Sequence, residues 1–214
     1  MDDSVRKGLF YVWFDTEYST LELETARLLQ VAAMITDGSL RRVMPADQDV
    51  YLPIRLSPGE TISPWVEQHL PDLIKACRSS EAVDEETADE RLAALVDRAV
   101  GFPVEMEDRR PVLAGNSIHA DWWLIRRYLP RFLSRLHYRH LDVTAFKLEW
   151  NHLHPDREFK KEDPEAIINY FPEAVLPAAG ARHDAYYDIQ ASIAELAFYR
   201  RFLFQQITRN KEGP

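Results

Sequence analysis

The sequence has almost no cysteine and no long apolar run, and each shortage excludes a class of protein. Cys77 is the one cysteine among 214 residues, so an internal disulfide framework is excluded and a reducing compartment is expected. The apolar run at residues 9–14 is too short to span a membrane as a helix. The charged residues 1–7 before it do not look like the start of a signal peptide. We therefore expect a cytoplasmic protein that does not enter a membrane.

The sequence also lacks an excess of positive charge. Its 26 lysines and arginines are outnumbered by 35 aspartates and glutamates, which gives a net charge of −9. Proteins that hold long nucleic acids by their phosphates carry broad basic surfaces, so the charge argues against that class. It leaves room for a metal-dependent enzyme that acts on a short or small substrate.

What the sequence does contain is enough apolar material for one folded domain. Hydrophobic residues make up 46% of the chain and aromatic residues 11%, which indicates a globular protein rather than a disordered one. Since 214 residues suit one domain with a full core, we expect residues 1–214 to form a single domain.

Residues 8–17, with the sequence GLFYVWFDTE, are the stretch around which the chain is organised. An apolar run rich in aromatic and β-branched residues predicts a buried central strand. Asp15 and Glu17 are two residues apart, so on a strand they point to the same face, about 7 Å apart. Carboxylates at the end of a buried strand are costly unless a positive group lies between them, and Mg²⁺ prefers such oxygens. The two interpretations are a metal site and a strand that simply ends in two solvated acids.

The rest of the chain predicts an α/β sheet covered by helices. Residues 27–36 and 49–54 predict two more strands with a turn signal between them, so we expect the first three strands to be antiparallel. Ser63 and Pro64 mark the start of a helix that we expect to run to Cys77. The other expected elements are a helix at 86–100, a strand at 111–116, helices at 121–128 and 142–150, a helical turn at 164–170 and a final helix at 184–206. The apolar stripe of the final helix is Ile189, Ile193, Leu196, Tyr199 and Leu203.

Four acids and one histidine lie at the ends of these predicted elements: Asp15, Glu17, Asp121, His183 and Asp188. Taken one at a time, each has an ordinary structural explanation. Asp121 could be a first-turn acid that the helix dipole favours, Asp188 could be a solvated helix residue, and His183 could lie in a surface loop. Their order along the chain changes this assessment.

Four stretches carry that order. They are D-T-E at 15–17, G-N-S-I-H-A-D at 115–121, H-Y-R-H-L-D-V at 137–143 and H-D-A-Y-Y-D-I at 183–189. Together they resemble the motifs of the DEDD exonucleases of the histidine type and, within them, the oligoribonucleases; the likeness covers about Phe10 to Phe204. The resemblance implies one exonuclease domain with an α/β, RNase H-like fold: a mixed β-sheet whose first three strands are antiparallel, covered by α-helices on both faces.

The resemblance implies 3′-5′ hydrolysis of phosphodiester bonds in short oligonucleotides, most of all dinucleotides. Two divalent metal ions, Mg²⁺ or Mn²⁺, would clamp the attacking and leaving oxygens from about 4 Å apart. Asp15 would bridge both ions. Glu17 and Asp188 would hold the ion that generates the nucleophile, and Asp121 would help to position the other. His183 would take a proton from the attacking water, since nearby cations keep its imidazole neutral.

The resemblance also implies how a short RNA or DNA substrate is bound. Leu21 and Trp65 stand where the family wedges the terminal bases, because an aromatic ring accepts any base; Trp65 could instead be a core residue at a helix start. Tyr138 and Arg139 match residues that reach from the partner subunit to cap the 5′ end, which requires a homodimer. Ser117 would assist in binding the substrate.

Two features depart from the family pattern and leave the exact substrate open. The family has Gly-Gln before the second-motif aspartate, where this chain has His119-Ala120, and segment 151–180 is longer than expected. RNA dinucleotides, DNA dinucleotides and somewhat longer ends are all candidates. The alternatives are a DEDD exonuclease on longer single-stranded RNA or DNA ends and a non-catalytic nucleotide-binding protein on the same fold.

His152 and His154 could suggest zinc, but no cysteine or third ligand lies nearby, so we expect a surface loop there.

Overall fold

The computed structural model describes residues 8–101, 110–176 and 183–209, with side chains up to residue 202. Within these residues one mixed sheet has the strand order β3-β2-β1-β4-β5. The strands are β1 (Phe10–Tyr18), β2 (Leu28–Asp37), β3 (Val50–Pro53), β4 (Val112–Gly115) and β5 (His140–Asp142). β2 is antiparallel to both β1 and β3, whereas β1, β4 and β5 run parallel. The predicted antiparallel arrangement of the first three strands is confirmed.

β1 lies at the centre of the sheet because both of its faces are apolar. Val12, Trp13 and Phe14 are fully buried, although their side chains alternate between the two faces. The indole N–H of Trp13 donates a hydrogen bond to Thr36 Oγ1 on β2 at 2.9 Å, which satisfies a polar group inside the core. The continuous apolar run therefore predicted a buried central strand correctly.

Helices cover both faces of the sheet, as the family resemblance implied. They are α1 (Pro64–His69), α2 (Pro71–Cys77), α3 (Glu85–Val100), α4 (His119–Tyr128), α5 (Pro130–Leu133), α6 (Val143–Leu153), α7 (Pro164–Tyr170) and α8 (Ala185–Arg209). One face packs against α3, α4 and α5, and the other against α6, α7 and α8. None of the described helices is both long enough and apolar enough to cross a membrane.

One sequence expectation about the elements is wrong, and one strand was not predicted. The helix expected from Ser63 to Cys77 is two helices, which meet at the non-helical Leu70 (φ −123°, ψ 42°). Pro71 causes this break, because proline disfavours helical backbone at the residue before it and lacks an N–H. Strand β5 was not predicted, because its three residues are too few to show a period of two.

Apart from the short α5, which no pattern predicted, the other helices lie close to where the sequence predicts them. Ser63 caps α1, since its hydroxyl accepts the N–H of Val66 at 3.3 Å, and the turn expected at 164–170 is α7. The expected stripe of α8 is buried at Ile189, Ile193, Leu196 and Tyr199. Its fifth member, Leu203, lies outside the described side chains.

Candidate active site

Three carboxylates meet at the C-terminal end of β1. Asp15 and Glu17 share one face of the strand, and Asp188 lies one turn inside α8. Each offers an oxygen atom within 4.8 Å of the other two. The period of two along β1 and the start of α8 beside it therefore bring together residues that are more than 170 positions apart in sequence.

Asp121 lies in the first turn of α4, directly after β4, and is buried. Because β4 runs parallel to β1, both strands end at the same edge of the sheet. Thr16 Oγ1 donates a hydrogen bond to Asp121 Oδ1 at 2.8 Å. Gly115 permits this close approach of the strand ends, since a Cβ at that position would lie 2.9 Å from the carbonyl oxygen of Phe14.

The electrostatics of the four carboxylates favour a bound cation. Burial raises the pKa of Asp15 well above its usual range, and the neighbouring carboxylates raise it further. Burial raises the pKa of Glu17 to about 8, with help from the charge of Asp188. It also raises the pKa of Asp121 to about 7, against the lowering effect of the Thr16 hydrogen bond. Crowded carboxylate oxygens are the donor set that hard divalent cations take, so the site fits divalent metal binding.

His183 stands at the exposed rim of this site, immediately before α8. Its backbone is in the left-handed region, with φ 60°, and its imidazole meets the ring of Trp65 edge-on, with centroids 5.1 Å apart. The next residues are anchored: Asp184 Oδ1 accepts the N–H of Tyr187 at 2.9 Å, and the Ala185 N–H donates to Gln30 Oε1 at 2.9 Å. The start of α8 is therefore held against β2, and His183 with it.

One pocket of about 580 Å³ contains most of the residues that the sequence singled out. Those that line it are Asp15, Glu17, Leu21, Trp65, Ser117, Asp121, His183 and Asp188, together with Ala120. The side chain of Leu21 is 86% exposed and that of Trp65 is 48% exposed, so Trp65 is not a core residue. Both apolar side chains are thus free to contact a ligand beside the carboxylates.

Backbone contacts hold the walls of this pocket in place. The loop that carries Leu21 is tied to α4, since the Trp123 indole donates to the Leu23 carbonyl at 3.2 Å and the Tyr128 hydroxyl to the Ala26 carbonyl at 2.7 Å. Ser117 has a φ of 51°. Its N–H is 3.0 Å from Asp142 Oδ1 and 2.8 Å from a side-chain oxygen at the start of α6.

Tyr138 and Arg139 do not line the pocket. The side chain of Tyr138 is 61% exposed and stacks on His137, with centroids 4.6 Å apart. The Arg139 guanidinium lies over the Tyr138 ring at 5.2 Å. Within one chain, therefore, these two residues stay apart from the carboxylates, and their role as a cap stays a prediction.

The site contains polar residues that sequence reasoning missed. Lys161 places its ammonium 2.8 Å from Asn116 Oδ1 and 3.5 Å from the fully buried Glu195. Asn116 lies in the matching stretch at 115–121, and Glu195 lies within the general likeness from Phe10 to Phe204, which was the available signal. Lys161 lies in the irregular segment before α7, where no pattern distinguishes one lysine from another.

The surface loop expected at His152 and His154 is wrong, because His152 lies in the last turn of α6 and His154 is the C-cap residue of that helix. In the described parts of the chain, the acid, cysteine and histidine side chains that cluster closely enough for a metal are Asp15, Glu17 and Asp188 alone. The ring of His154 instead packs against Trp150, with centroids 4.2 Å apart.

Sequence comparison identifies relatives along nearly the whole chain. The RNase T family model, described as an exonuclease, matches residues 12–196. The oligoribonuclease of Mycobacterium leprae is 33% identical over 197 residues, which covers 90% of this chain and 80% of that protein. The oligoribonuclease of Alkalilimnicola ehrlichii is 29% identical over 206 residues, covering 94% and 93%. The mitochondrial oligoribonuclease of Bos taurus is 28% identical over 205 residues, covering 94% and 76%.

Solved structures of exonuclease I share the fold. The enzyme from Methylocaldum szegediense superposes with a TM-score of 0.64 at 19% identity, covering 94% of this chain and 43% of that one. The E. coli enzyme in complex with a 5cy-dA13 oligonucleotide gives 0.62 at 16% identity, covering 94% and 43%. This chain thus spans less than half the length of these neighbours, whose likeness is one of fold. On the sequence matches, the chain belongs to the exonuclease family and, within it, to the oligoribonuclease-like enzymes of the DEDD type with a histidine.

Proposed function

We propose that this 3′-5′ exonuclease acts on short oligonucleotides, with dinucleotides as its preferred substrate. One observation carries the proposal: a single pocket combines four carboxylates and a histidine with two exposed apolar side chains, Leu21 and Trp65. The carboxylates suit metal-assisted cleavage of a phosphodiester, and the apolar pair suits terminal bases. A cytoplasmic location, inferred from the single cysteine, is part of the same proposal.

The carboxylates would hold two divalent ions, Mg²⁺ or Mn²⁺. Two such ions would bind and stabilise the attacking and leaving oxygens of an in-line displacement. Asp15 is central to the cluster and would be shared by both ions. Glu17 and Asp188, whose oxygens lie within 4.8 Å of one another, would complete one ion site. Asp121, oriented by Thr16, would help to hold the second.

His183 would act as the general base. Its imidazole is exposed at the rim of the pocket and is held by the Trp65 ring and the anchored start of α8. A water between His183 and the carboxylates would give a proton to the imidazole as its oxygen attacks the phosphorus. The bond from the phosphorus to the 3′ oxygen of the preceding nucleotide would break, and that oxygen would leave and take a proton from solvent.

Leu21 and Trp65 would bind the terminal bases without regard to sequence. Stacking on an indole contributes roughly 1–3 kcal/mol per base and accepts every base. A pocket of about 580 Å³ is of the size that binds small molecules, which suits two nucleotides better than a long strand. Ser117, which lines the same pocket, would lie beside the bound strand.

Tyr138 and Arg139 would close the 5′ side of a neighbouring subunit's pocket, which makes the active form a homodimer. Support comes from their position, since both are exposed residues next to β5 that do not line the pocket of their own chain. Ala120 lines the pocket where the family has glutamine. The smaller side chain leaves the 5′ side more open, so we expect some cleavage of trimers and tetramers.

The test is a length series. Purified protein is given labelled RNA and DNA of two to ten nucleotides with Mg²⁺, Mn²⁺ or EDTA. We expect turnover only with metal and a rate that falls steeply beyond two nucleotides. A rate that stays constant or rises with length would favour an exonuclease on longer single strands, which the shared fold with exonuclease I also allows. Binding of oligonucleotides without cleavage in any metal would favour the non-catalytic alternative.

A further inference from the structure

Lys161 reaches into the protein from the irregular segment between α6 and α7. Its side chain is 20% exposed. The ammonium donates a hydrogen bond to Asn116 Oδ1 at 2.8 Å and lies 3.3 Å from Ser192 Oγ. It also forms an ion pair with Glu195 Oε2 at 3.5 Å. A cation with three partners on two other elements is a built position rather than a solvated surface charge.

The partners of Lys161 are attached to the backbone that carries the metal-binding acids. Asn116 directly follows β4 and precedes Asp121 by five residues. Ser192 lies on α8, one turn after Asp188. Ser192 Oγ is 2.5 Å from Asn116 Oδ1 and 2.8 Å from the carbonyl oxygen of Asp188, so its hydroxyl can donate to either. Lys161 therefore connects the end of β4 with the first turns of α8.

Glu195 explains why a cation is needed at this point. Its carboxylate is fully buried, accepts the Asn116 amide at 3.0 Å and accepts the Tyr199 hydroxyl at 2.7 Å. A buried carboxylate that loses its charge partner is strongly destabilising. Burial raises the pKa of Asp15 and of Asp188, and the charge of Lys161, which extends to the pocket, offsets part of that rise.

We propose that Lys161 is a positioning residue of the metal site, which fixes the end of β4 relative to α8 through Asn116 and Ser192. The inference rests on the proposed function, because it assumes that the carboxylates hold Mg²⁺. Outer-shell partners that orient metal ligands typically contribute roughly 10–100-fold to metal affinity or activity. The segment before α7, which the sequence marked as longer than expected, thereby gains a function in the active site.

The experiment separates charge balance from positioning. Lys161→Met alone leaves Glu195 unpaired, and we expect its melting temperature in EDTA to fall. The double variant with Glu195→Gln removes one charge of each sign, while glutamine can still accept from Asn116 and donate to Tyr199. We expect the double variant to recover the melting temperature in EDTA.

Metal binding is then read from the rise in melting temperature with Mg²⁺, since a ligand that binds the native state stabilises it. We expect the double variant to need roughly 10–100-fold more Mg²⁺ than the wild type for half of the rise. Lys161→Arg keeps the charge and the hydrogen-bond donors. The Mg²⁺ concentration that it needs for half of the rise should therefore lie between those of the wild type and the double variant. Lys160→Met, which removes the same charge from the exposed neighbouring residue, should behave as the wild type.

Two results would overturn the inference in different ways. If the double variant has the Mg²⁺ midpoint of the wild type and of Glu195→Gln, Lys161 only balances a buried charge. If the wild type itself shows no rise with Mg²⁺ or Mn²⁺, the proposed function is contradicted and the positioning role falls with it. The dinucleotide cleavage rate, measured in parallel at saturating Mg²⁺, should be lower in the double variant than in Glu195→Gln.

Discussion

The carboxylate site at the end of β1 and the pair Tyr138–Arg139 are built in opposite ways. The carboxylates are crowded and partly or fully buried, and hydrogen bonds such as that from Thr16 to Asp121 support them from within the chain. Tyr138 is largely exposed, and its ring contacts are with its sequence neighbours. One chain can therefore assemble the chemistry of the site, whereas the selection of substrate length is expected to need a second copy.

The largest effect should come from substitution of one of the crowded carboxylates. We expect Asp15→Asn to lower turnover on dinucleotides by roughly a thousandfold or more, because lost metal ligation removes several kcal/mol of transition-state stabilisation at 1.36 kcal/mol per tenfold. The fold should survive, and the metal-free melting temperature should rise, because carboxylate repulsion is relieved. Asp47→Asn, at an exposed position, is the control. Near-normal Mg²⁺-dependent activity in Asp15→Asn would contradict the metal site.

Substitution in the exposed pair Tyr138–Arg139 should change the preference for substrate length. Arg139→Ala should slow cleavage of dinucleotides that carry a 5′ phosphate by roughly 10–150-fold, the equivalent of about 1.5–3 kcal/mol for a hydrogen bond to a charged group. Rates on longer oligonucleotides should change little, so the length profile flattens. Arg126→Ala, at an exposed position of α4, controls for the loss of one charge. A wild type that is monomeric by light scattering would contradict the proposed cap. So would an Arg139→Ala variant whose rate depends on oligonucleotide length as that of the wild type does.

Leu21 tests a position that is exposed like Tyr138 but lies in the pocket of its own chain. Leu21→Ala should leave the free energy of unfolding within about 0.5 kcal/mol of the wild type, because an 86% exposed side chain buries little. The KM for dinucleotides should rise by roughly tenfold, with kcat nearly unchanged, because the contact is the same in ground and transition states. A lowered kcat at unchanged KM would mean that Leu21 acts on the chemical step instead.

The charge of the metal-free site should make the stability of the protein depend on pH. Burial raises the pKa of Glu17 to about 8, above its value near 4 in an unfolded chain. The folded protein therefore binds more protons between about pH 4 and pH 8, and its stability falls as the pH rises through that window. Melting temperatures in EDTA should decrease from pH 5 to pH 8, with a shallower slope in Glu17→Gln than in the exposed control Glu81→Gln. Saturating Mg²⁺ should remove most of the slope.

Sequence patterns predicted the fold well where the signal was local. The apolar run of β1 predicted the central strand, and the period of two placed Asp15 and Glu17 on one face. The helix expected across Leu70 is wrong because Pro71 disfavours helical backbone at the residue before it, and β5 is too short to show a pattern. Motif order identified the residues that line the pocket, but it gave no sign of Lys161. That contact joins positions 45 residues apart through an irregular segment, and its geometry depends on how the whole chain packs.

The exposed indole of Trp65 should report substrate binding through its fluorescence. Its indole is about half exposed, stacks on His69 at 4.4 Å and meets His183 edge-on, whereas Trp13 and Trp150 are buried. A base that stacks on Trp65 would displace water from the indole and alter its fluorescence, while the buried pair would keep a constant emission. An unlabelled oligonucleotide would therefore be detected as it enters the pocket, before any bond is cleaved.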